Sequence, residues 1–435
     1  MIKFDREEFK KAHPFVTESV KYIKRRKNEL SALSRHLSRK RFQKNNEKIN
    51  KGKIKVVFIC QYIPAWSKNK RLYETLRADS RFEVVLLCIP NRVSANKLVN
   101  PEDMSNDAFE YFRGHGYAGA VNALIGKDKW FDLKRIHPDY VFYNRYDRPM
   151  PVCYTSTTVS NYSKVCLIVY GTALTEAAEN MTDKSFMANT FCLFAESKSK
   201  KRIFKKWNIV LCKLDLSQAV LCGIAGIENA YKAKDDICPA WDFSKNDFRR
   251  IYAPRWTLDQ YWGGSTFLKY KDSFINLADN NPDIDILVRP HPLMFNHFVE
   301  IGVMTEQEVE QYKNNCRSRN NIRVDNEKEY LGTFWNSSVL ICDFSSMIIE
   351  YFITGKPIIY LTYDSNMDYT SQMKEVLSRC YIVNSENEML QRISELKNGI
   401  DPLARKRLEI CQKEFSDSIN ASENMKQVLL EGYTK

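Results

Sequence analysis

Two short segments place charged and hydroxyl side chains directly after apolar runs that predict β-strands. The segment ILVRPHP at residues 286–292 ends in Arg289 and His291, between prolines that stiffen the exit from the strand. In the segment VLICDFSS at residues 339–346, a similar run ends in an aspartate and two serines. Guanidinium, imidazole and hydroxyl groups of this kind are suited to binding phosphate or another anion.

The serine pair precedes an apolar helical pattern at residues 347–352. Ser345 and Ser346 would then open a helix, where unpaired N–H groups and the positive end of the dipole favour an anion. Ligands of open α/β sheets bind at the carboxyl ends of the strands, so the two segments predict one shared anion site. Ordinary helix capping and a rigid surface loop are the alternatives.

A third segment, YAPRWT at residues 252–257, also runs from a strand pattern into a loop. Its Arg255 would bring a further cation to the same edge, with a plain surface loop as the alternative. Strand patterns alternate with helical ones throughout, which is typical of parallel α/β layers. The predicted strands are residues 54–59, 82–89, 140–143, 165–169, 191–195, 209–212, 250–253, 284–288, 321–324, 339–342 and 357–361.

These elements predict an α/β protein with two doubly wound domains in tandem. A polar stretch at residues 232–246, interrupted by Pro239, indicates the connection between them. The expected organisation is a basic amphipathic helical arm (1–50), a first Rossmann-like domain (51–240), a second Rossmann-like domain (241–385) and carboxy-terminal helices (386–435).

Composition excludes several classes of protein. The chain has 435 residues, of which 44% are apolar and 27% charged, so two or three globular domains are expected. No apolar run is long enough to cross a bilayer and no export signal opens the chain, so we expect a cytoplasmic protein. Its 12 cysteines lack zinc-ligand spacing and are expected to be reduced, buried thiols, with no metal site.

The net charge of +13 is concentrated near the amino terminus, where residues 1–50 carry 15 Lys and Arg against 6 Asp and Glu. This excess predicts an acidic partner. Packing on the protein itself, docking on anionic lipid and pairing with a partner helix are the three interpretations of the amphipathic pattern. The pattern rests on apolar residues at helical spacing, namely Val16, Val20, Ile23, Leu30, Leu33 and Leu37.

The three strand-end segments together resemble the CDP-glycerol glycerophosphotransferase family, which builds teichoic-acid-like and capsular polymers. The match includes RPHP at 289–292, DFSS with the following IEYFITGKPIIY at 343–360, and YAPRWT at 252–257. NRYDRP at 144–149 and LIVYG at 167–171 are similar to the family's acceptor-side pattern. The resemblance covers about residues 54–365.

The resemblance implies a glycosyltransferase-B-type fold, with two Rossmann-like domains facing across a cleft. The second domain would hold CDP-glycerol and the first the acceptor. Arg289 and His291 would face the pyrophosphate, and Asp343 would orient its loop or contact the nucleotide. The other residues implied are Tyr252, Arg255, Ser345 and Ser346 for the donor, and Tyr146, Tyr170 and Gly171 for the acceptor.

The catalytic base is where the chain departs from the family. The family's acceptor domain carries a His-Gly element, which this sequence replaces by Tyr170 and Gly171. We predict Asp147 as the substitute base, with a structural salt bridge as its alternative role. His115 and His137 are the next candidates.

The reaction implied is attack of an acceptor hydroxyl on the β-phosphorus of CDP-glycerol, which releases CMP and needs no cofactor. A transferase for a nucleotide-activated sugar or another alditol phosphate, such as CDP-ribitol, is the main alternative. A nucleic-acid-binding protein is disfavoured because no such module is present, so no nucleic-acid partner is expected. The expected partners are a nucleotide-activated donor and a polymer or glycolipid acceptor.

The family also binds membranes through basic surfaces. The resemblance therefore implies a peripheral protein at the inner face of the cell membrane. A solvated charged helix is the alternative for the second basic cluster. Its residues are Lys198, Lys200, Lys201, Arg202, Lys205 and Lys206.

Overall fold

The computed structural model describes residues 14–91, 93–94, 97–98, 102–146, 149–180, 183–236, 238–259, 264–325, 327, 330–363 and 367–433. The strands are β1 (Ile54–Cys60), β2 (Phe82–Cys88), β3 (Val93–Ser94), β4 (Lys97–Leu98), β5 (Ala120–Asn122), β6 (Leu124–Gly126), β7 (Lys129–Trp130), β8 (Tyr140–Tyr143), β9 (Lys164–Ile168), β10 (Cys192–Phe194), β11 (Gln218–Val220), β12 (Arg249–Ala253), β13 (Asp285–Val288), β14 (Ile322–Val324), β15 (Val339–Cys342), β16 (Ile358–Leu361) and β17 (Tyr381–Val383).

The helices are α1 (Pro14–Gln43), α2 (Asn46–Ile49), α3 (Ser67–Arg77), α4 (Asp107–Gly114), α5 (Ser156–Val159), α6 (Glu176–Asn180), α7 (Lys184–Asn189), α8 (Lys198–Trp207), α9 (Ile209–Lys213), α10 (Ala225–Lys232), α11 (Phe267–Asn280), α12 (Met294–Glu300), α13 (Glu306–Arg317), α14 (Leu331–Trp335), α15 (Met347–Phe352), α16 (Ser371–Leu377), α17 (Glu386–Lys397), α18 (Ala404–Phe415) and α19 (Ala421–Tyr433). Short 3-10 helices lie at Ile63–Trp66, Leu133–Ile136, Val152–Tyr154, Ala233–Asp235, Pro239–Trp241 and Ser416–Asn420.

The chain divides into two compact units. Unit 1 comprises residues 1–170, 180–225 and 421–435, and unit 2 comprises residues 171–179 and 226–420. The division between residues 225 and 226 precedes the expected domain boundary at residue 240. The expected carboxy-terminal segment (386–435) is shared between the units, because α17 packs in the core of unit 2 and α19 in the core of unit 1.

Unit 1 contains a seven-stranded parallel sheet in the order β11-β10-β9-β8-β1-β2-β5. Alternate residues of β1 enter separate apolar clusters: Val56 and Phe58 join one, and Val57 and Ile59 the other. Both faces of the sheet are therefore covered, which explains why its strands are nearly continuous apolar runs.

Unit 2 contains a six-stranded parallel sheet in the order β14-β13-β12-β15-β16-β17. The strand order reverses between β12 and β15, so this pair marks the switch point where α/β sheets bind ligands. The three segments singled out by sequence follow β12, β13 and β15, which are neighbours in the sheet. Their carboxyl ends therefore meet at one edge, as predicted.

One predicted strand is wrong. Residues 209–212 form part of helix α9, and β11 takes the place beside β10. The four-residue apolar run carried no periodicity that separates a strand from a buried helical turn. Leu211 is fully buried on this helix beside Ala188, which explains its apolar character.

Helix α1 exists as predicted, but its buried face differs from the predicted apolar stripe. Its buried contacts include an apolar one, in which Ala32 packs with Ala188 and Leu211. Two others are polar: the Leu211 N–H donates to Glu29 Oε1 at 2.8 Å, and His36 Nε2 lies 2.9 Å from the Ala188 carbonyl. Burial, with Arg39 nearby, lowers the pKa of His36 to about 3, so the imidazole is neutral. Most of the stripe lies at the surface, with exposed fractions of 47% for Val16, 46% for Val20, 64% for Ile23, 60% for Leu30 and 45% for Leu37.

In the part of the chain that the structure describes, no helix combines the length and apolar character needed to cross a bilayer.

Candidate active site

The carboxyl edge of the unit 2 sheet is held together by Asp343, directly after β15. Its Oδ1 accepts the Arg255 N–H at 2.8 Å, and its Oδ2 accepts both the N–H and the hydroxyl of Thr266 at 2.8 and 2.9 Å. The loops after β12 and β15 and the start of α11 are thus joined by one carboxylate. The Asp343 side chain is fully buried, so it orients this loop.

Burial raises the pKa of Asp343 to about 6, against the opposing effect of the hydrogen bonds from Thr266 and Arg255. At neutral pH the carboxylate is charged, and its buried position is tolerated because three donors satisfy it. Of the two roles expected for this residue, the contacts favour positioning of the loop.

Arg255 lies between the loops that follow β12 and β15. Its Nε donates to Thr257 Oγ1 at 2.8 Å and a terminal nitrogen donates to the Phe344 carbonyl at 3.2 Å. The guanidinium also lies 4.8 Å above the centre of the Phe344 ring. Burial lowers the pKa of Arg255 while Asp343 opposes the shift. This arrangement fixes a cation at the switch point of the sheet.

His291 lies beside Arg255 on the neighbouring loop. Its backbone N–H donates to the Pro254 carbonyl at 3.1 Å, and its ring Nδ1 accepts the Leu293 N–H at 3.2 Å. Burial and the nearby Arg255 lower the pKa of His291 to about 4. The imidazole is therefore neutral at pH 7 and its Nε2 carries the proton.

Arg289 differs from its expected role as a free cation. The guanidinium pairs with the buried carboxylate of Asp325 and donates to the Glu327 carbonyl at 2.9 Å. It also lies 4.6 Å above the Tyr330 ring. These partners all follow β14, so the side chain is directed along the edge toward that strand, and Asp325 neutralises its charge.

The two serines differ in their surroundings. Ser345 is half-buried and its Oγ accepts the Met347 N–H at 3.3 Å, as expected for a capping hydroxyl. Ser346 is exposed, has helical backbone angles and makes no capping hydrogen bond through its side chain. Its hydroxyl is the one available to a ligand.

Tyr252 was predicted to bind the donor, and its position in the structure does not allow this. The side chain is fully buried in the core of unit 2 and stacks on Phe274 with ring centres 4.0 Å apart. Its hydroxyl lies 3.5 Å from Thr266 Oγ1. Because the side chain has no exposed surface, Tyr252 supports the strand and is not in contact with a donor.

Of the predicted acceptor residues, Tyr146 and Tyr170 follow strands β8 and β9 of unit 1, and Gly171 begins the segment 171–179 of unit 2. The Arg145 guanidinium is 5.3 Å from the centre of the Tyr62 ring and 5.7 Å from that of Tyr170. Tyr146 packs instead toward Phe186, with ring centres 6.2 Å apart. A Cβ at Gly171 would meet nothing within 4 Å, so no steric contact requires glycine there.

The predicted base Asp147 lies outside the described residues. His115 and His137 precede β5 and β8, so both lie at the amino edge of the unit 1 sheet, opposite the ligand edge. His137 stacks on Phe42 with ring centres 4.8 Å apart. Neither position suits a base for an acceptor at the carboxyl edge.

Comparison with known proteins found a matching family model for part of the chain. Residues 240–429 match the family described as CDP-glycerol:poly(glycerophosphate) glycerophosphotransferase. This part, which is less than half of the chain, is similar to that family. The matched region contains every donor-side residue predicted from sequence, and it confirms the predicted class of enzyme, a CDP-glycerol glycerophosphotransferase. No curated protein matches the chain in sequence.

Solved structures confirm the predicted fold class. The wall teichoic acid polymerase TagF is similar with a TM-score of 0.57 at 15% identity, covering 95% of this chain and 98% of that chain. UDP-GlcNAc 2-epimerase from Neisseria meningitidis, bound to UDP-GlcNAc, has a TM-score of 0.58 at 12% identity, covering 87% and 100%. The S. aureus MnaA–UDP structure has a TM-score of 0.52 at 13% identity, covering 85% and 94%.

Two residues at the carboxyl edge of the unit 2 sheet were not found from sequence. Thr266 carries no motif, and only its two hydrogen bonds to Asp343 reveal its role. Asp325 directly follows β14 as Arg289 follows β13, so its position at the end of a parallel strand was a usable signal. Within the described residues, no group of three His, Cys, Asp or Glu side chains could hold a metal ion.

The two basic segments predicted from sequence lie next to each other in unit 1. Arg26 of α1 donates to the carbonyls of Lys206 and Trp207, at the end of α8, at 3.2 and 2.9 Å. Lys200 departs from the predicted basic surface because it is only 3% exposed. The exposed members of the cluster are Lys198, Arg202, Lys205 and Lys206, with Lys201 half-buried.

Proposed function

We propose that this glycerophosphotransferase moves glycerol phosphate from CDP-glycerol to a hydroxyl of a cell-surface polymer or glycolipid. The arrangement of Arg255, His291 and Ser346 at the switch point of the unit 2 sheet is the observation that supports it. Together they offer one cation, one neutral imidazole N–H and one hydroxyl. A diphosphate needs donors and positive charge of this kind.

In the proposed step the acceptor oxygen forms a bond to the β-phosphorus. The bond from that phosphorus to the oxygen bridging to the α-phosphorus breaks, and CMP leaves with this oxygen and its electron pair. The acceptor proton passes to a base, for which Asp147 stays our prediction. Such transfers depend mainly on positioning and on stabilising the charge of the leaving group.

His291 would act as a neutral hydrogen-bond donor through Nε2. Because Nδ1 accepts a hydrogen bond from the Leu293 N–H, the ring is held in the tautomer that carries its proton on Nε2. Arg255 would supply the positive charge of the site. Asp343 contributes indirectly, since it fixes the loop that carries Arg255.

Release of nucleotide from alternative donors tests this proposal. The purified protein is incubated with CDP-glycerol, CDP-ribitol or UDP-N-acetylglucosamine, with and without a glycerol-phosphate acceptor. We expect CMP release from CDP-glycerol that requires the acceptor. UMP or UDP release, or preferential use of CDP-ribitol, would contradict the proposed donor.

We also propose that the exposed face of α1 binds an anionic membrane surface, which would place the protein at the inner face of the membrane. Ile23 and Leu30 lie on this face among exposed lysines, including Lys24 and Lys27, and the basic end of α8 lies alongside. Apolar side chains flanked by basic ones suit an interfacial helix on anionic lipid. The excess of positive charge disfavours a second copy of the same helix as the partner.

Substitution of two stripe residues tests the membrane proposal without disturbing the buried contacts of α1. Because burying such a side chain is worth about 1.5–3 kcal/mol, the double variant Ile23→Ser, Leu30→Ser is expected to weaken vesicle binding by about 10-fold or more. Binding is measured by co-sedimentation with phosphatidylglycerol-containing vesicles. Ile400→Ser, which alters an isoleucine 54% exposed in unit 2, is the matched control. Equal binding by wild type and the double variant would refute the proposal.

A further inference from the structure

A cavity of unit 2 lies at β16 and β17, beside the part of the carboxyl edge to which we assign the donor and which we call the donor edge. It has a volume of about 440 Å³. Four aromatic rings, one hydroxyl and one ammonium group supply most of its lining. We call it the Tyr369 cavity, and its principal lining residues are Phe344, Tyr360, Thr362, Tyr363, Tyr369 and Lys374.

Phe344 separates this cavity from the donor edge. The Arg255 guanidinium lies 4.8 Å above the centre of the Phe344 ring, and the same side chain lines the cavity. A ligand in the Tyr369 cavity would therefore be one side chain away from the cation that we assign to the diphosphate. This distance suits a group that takes part in the same transfer.

The walls of the cavity are held in place by specific contacts. The Tyr363 hydroxyl donates to the Leu258 carbonyl at 3.3 Å, and a Cβ at Gly264 would come within 2.3 Å of the Tyr363 ring. Glycine at position 264 thus allows the ring to pack there. The hydroxyls of Tyr360 and Tyr369 are hydrogen-bonded to each other at 2.9 Å.

Tyr369 also connects the cavity with the chain that follows the acceptor motif. Within unit 2, Thr175 forms an antiparallel bridge with Tyr369, and the Thr370 N–H donates to the Leu174 carbonyl at 3.0 Å. Residues 171–179 directly follow Tyr170, which the family resemblance placed on the acceptor side. This connection favours an acceptor as the occupant over the nucleoside of the donor.

The lining chemistry points to an anionic polyol. Aromatic rings and hydroxyls provide contacts for a chain that is apolar along its carbons and rich in oxygen. Lys374 is exposed at the rim, where its ammonium donates to the exposed Asp368 carboxylate at 3.3 Å. None of the described lining residues is a carboxylate, and a phosphodiester in the cavity would replace the exposed Asp368 carboxylate as the partner of the Lys374 ammonium.

We infer that the Tyr369 cavity binds the terminal polyol phosphate unit of the acceptor. The inference rests on the proposed function, because it assigns the acceptor of the same transfer. It predicts that the acceptor and the donor are recognised by separable groups of residues in unit 2, with Phe344 as the boundary.

Two variants, one in α16 and one at the residue directly after it, test the inference, with tri(glycerol phosphate) as the probe. Lys374→Ala removes the rim cation, and Ser378→Trp fills the cavity from an exposed lining position. Lys374→Ala is expected to raise the KM for the probe about 10-fold, the effect of losing one charge-assisted hydrogen bond. Ser378→Trp is expected to raise the same KM because the indole occupies the space of the probe, and both variants should leave the Kd for CDP-glycerol unchanged. Gln372→Trp, on the same helix and not among the lining residues, is the matched control.

Direct binding of the labelled probe, measured by fluorescence anisotropy without donor, separates the inference from the proposed function. Weaker probe binding in both variants supports the cavity as the acceptor site even if wild type releases no CMP. A raised Kd for CDP-glycerol with unchanged probe binding would assign the cavity to the donor and overturn the inference. No probe binding by wild type, or equal binding by all proteins, would also overturn it.

Discussion

His291→Ala is expected to lower kcat/KM for CDP-glycerol by about 10²–10³-fold, the effect of removing one preorganised donor to developing charge. Folding should be little changed. The side chain accepts one hydrogen bond, from the Leu293 N–H, and its ring centre lies 5.9 Å from that of Trp256. Steady-state CMP release measures the first effect and urea unfolding the second.

His297→Ala is the matched control for this experiment. His297 contacts the same Trp256 ring, with centres 5.0 Å apart, and has no place in the proposed donor site. It should retain activity close to that of wild type. If both histidine variants lose activity equally, or if His291→Ala retains it, His291 does not contact the donor.

The pH dependence of the wild-type enzyme provides a second test of the role of His291. Since burial lowers the pKa of the free imidazole to about 4, kcat/KM should show no ionisation of this group between about pH 6 and 8. A requirement for the imidazolium would instead lower kcat/KM about tenfold for each pH unit in this range. The pH profile of kcat/KM for the Asp147→Asn variant would show which ionisation of the wild-type profile belongs to the predicted base.

Asp343→Asn is expected to reduce both activity and stability. The amide offers only one acceptor oxygen in place of two, and its NH2 group would face a donor from Arg255 or Thr266. A buried donor left unsatisfied costs about 1–3 kcal/mol, and the loop that carries Arg255 would lose its fixed position. Urea unfolding and CMP release measure the two effects.

The stability difference between wild type and Asp343→Asn should depend on pH with a defined sign. Burial raises the folded pKa of Asp343 to about 6, above the value near 4 of an unfolded aspartate. Its contribution to stability is therefore fully present below about pH 4 and is lost as pH rises through 6. Linkage therefore predicts that the loss of unfolding free energy caused by Asp343→Asn is about 2 kcal/mol larger at pH 4.5 than at pH 7.5. An equal difference at both pH values would show that Asp343 does not titrate in this range.

The arrangement of the donor edge could be predicted from sequence because strand order imposes it. Apolar runs that end in Arg289, His291 and Asp343 indicate parallel strands, and parallel strands bring their carboxyl ends to one edge. The family resemblance added the diphosphate ligand. Both the fold class and the class of enzyme followed from these observations.

Side-chain pairing within that edge could not be predicted in the same way. Arg289 binds Asp325, 36 residues later in the chain, and only the adjacency of β13 and β14 brings them together. Tyr252 and Arg255 belong to one motif, yet strand alternation and the end of β12 leave the tyrosine in the core and the arginine at the edge. The motif therefore predicted which segment lies at the edge of the sheet, but it did not predict which way each side chain of that segment points.

The prediction made from the amphipathic pattern of α1 was also only partly correct. Apolar spacing predicted the helix, but residues on another face, including Glu29 and His36, make its buried contacts. Periodicity identifies an apolar stripe without specifying what covers it. In this protein the stripe at Ile23 and Leu30 remains exposed, which is the basis of the membrane proposal.

A crystal structure with CDP-glycerol bound tests the central claim most directly. We predict a β-phosphate oxygen within hydrogen-bonding distance of His291 Nε2, with Arg255 and the Ser346 hydroxyl beside the diphosphate and the Arg289–Asp325 pair intact. A diphosphate bound at any other edge of either sheet, or one that displaces Asp325 from Arg289 and leaves His291 without contact, would contradict the account.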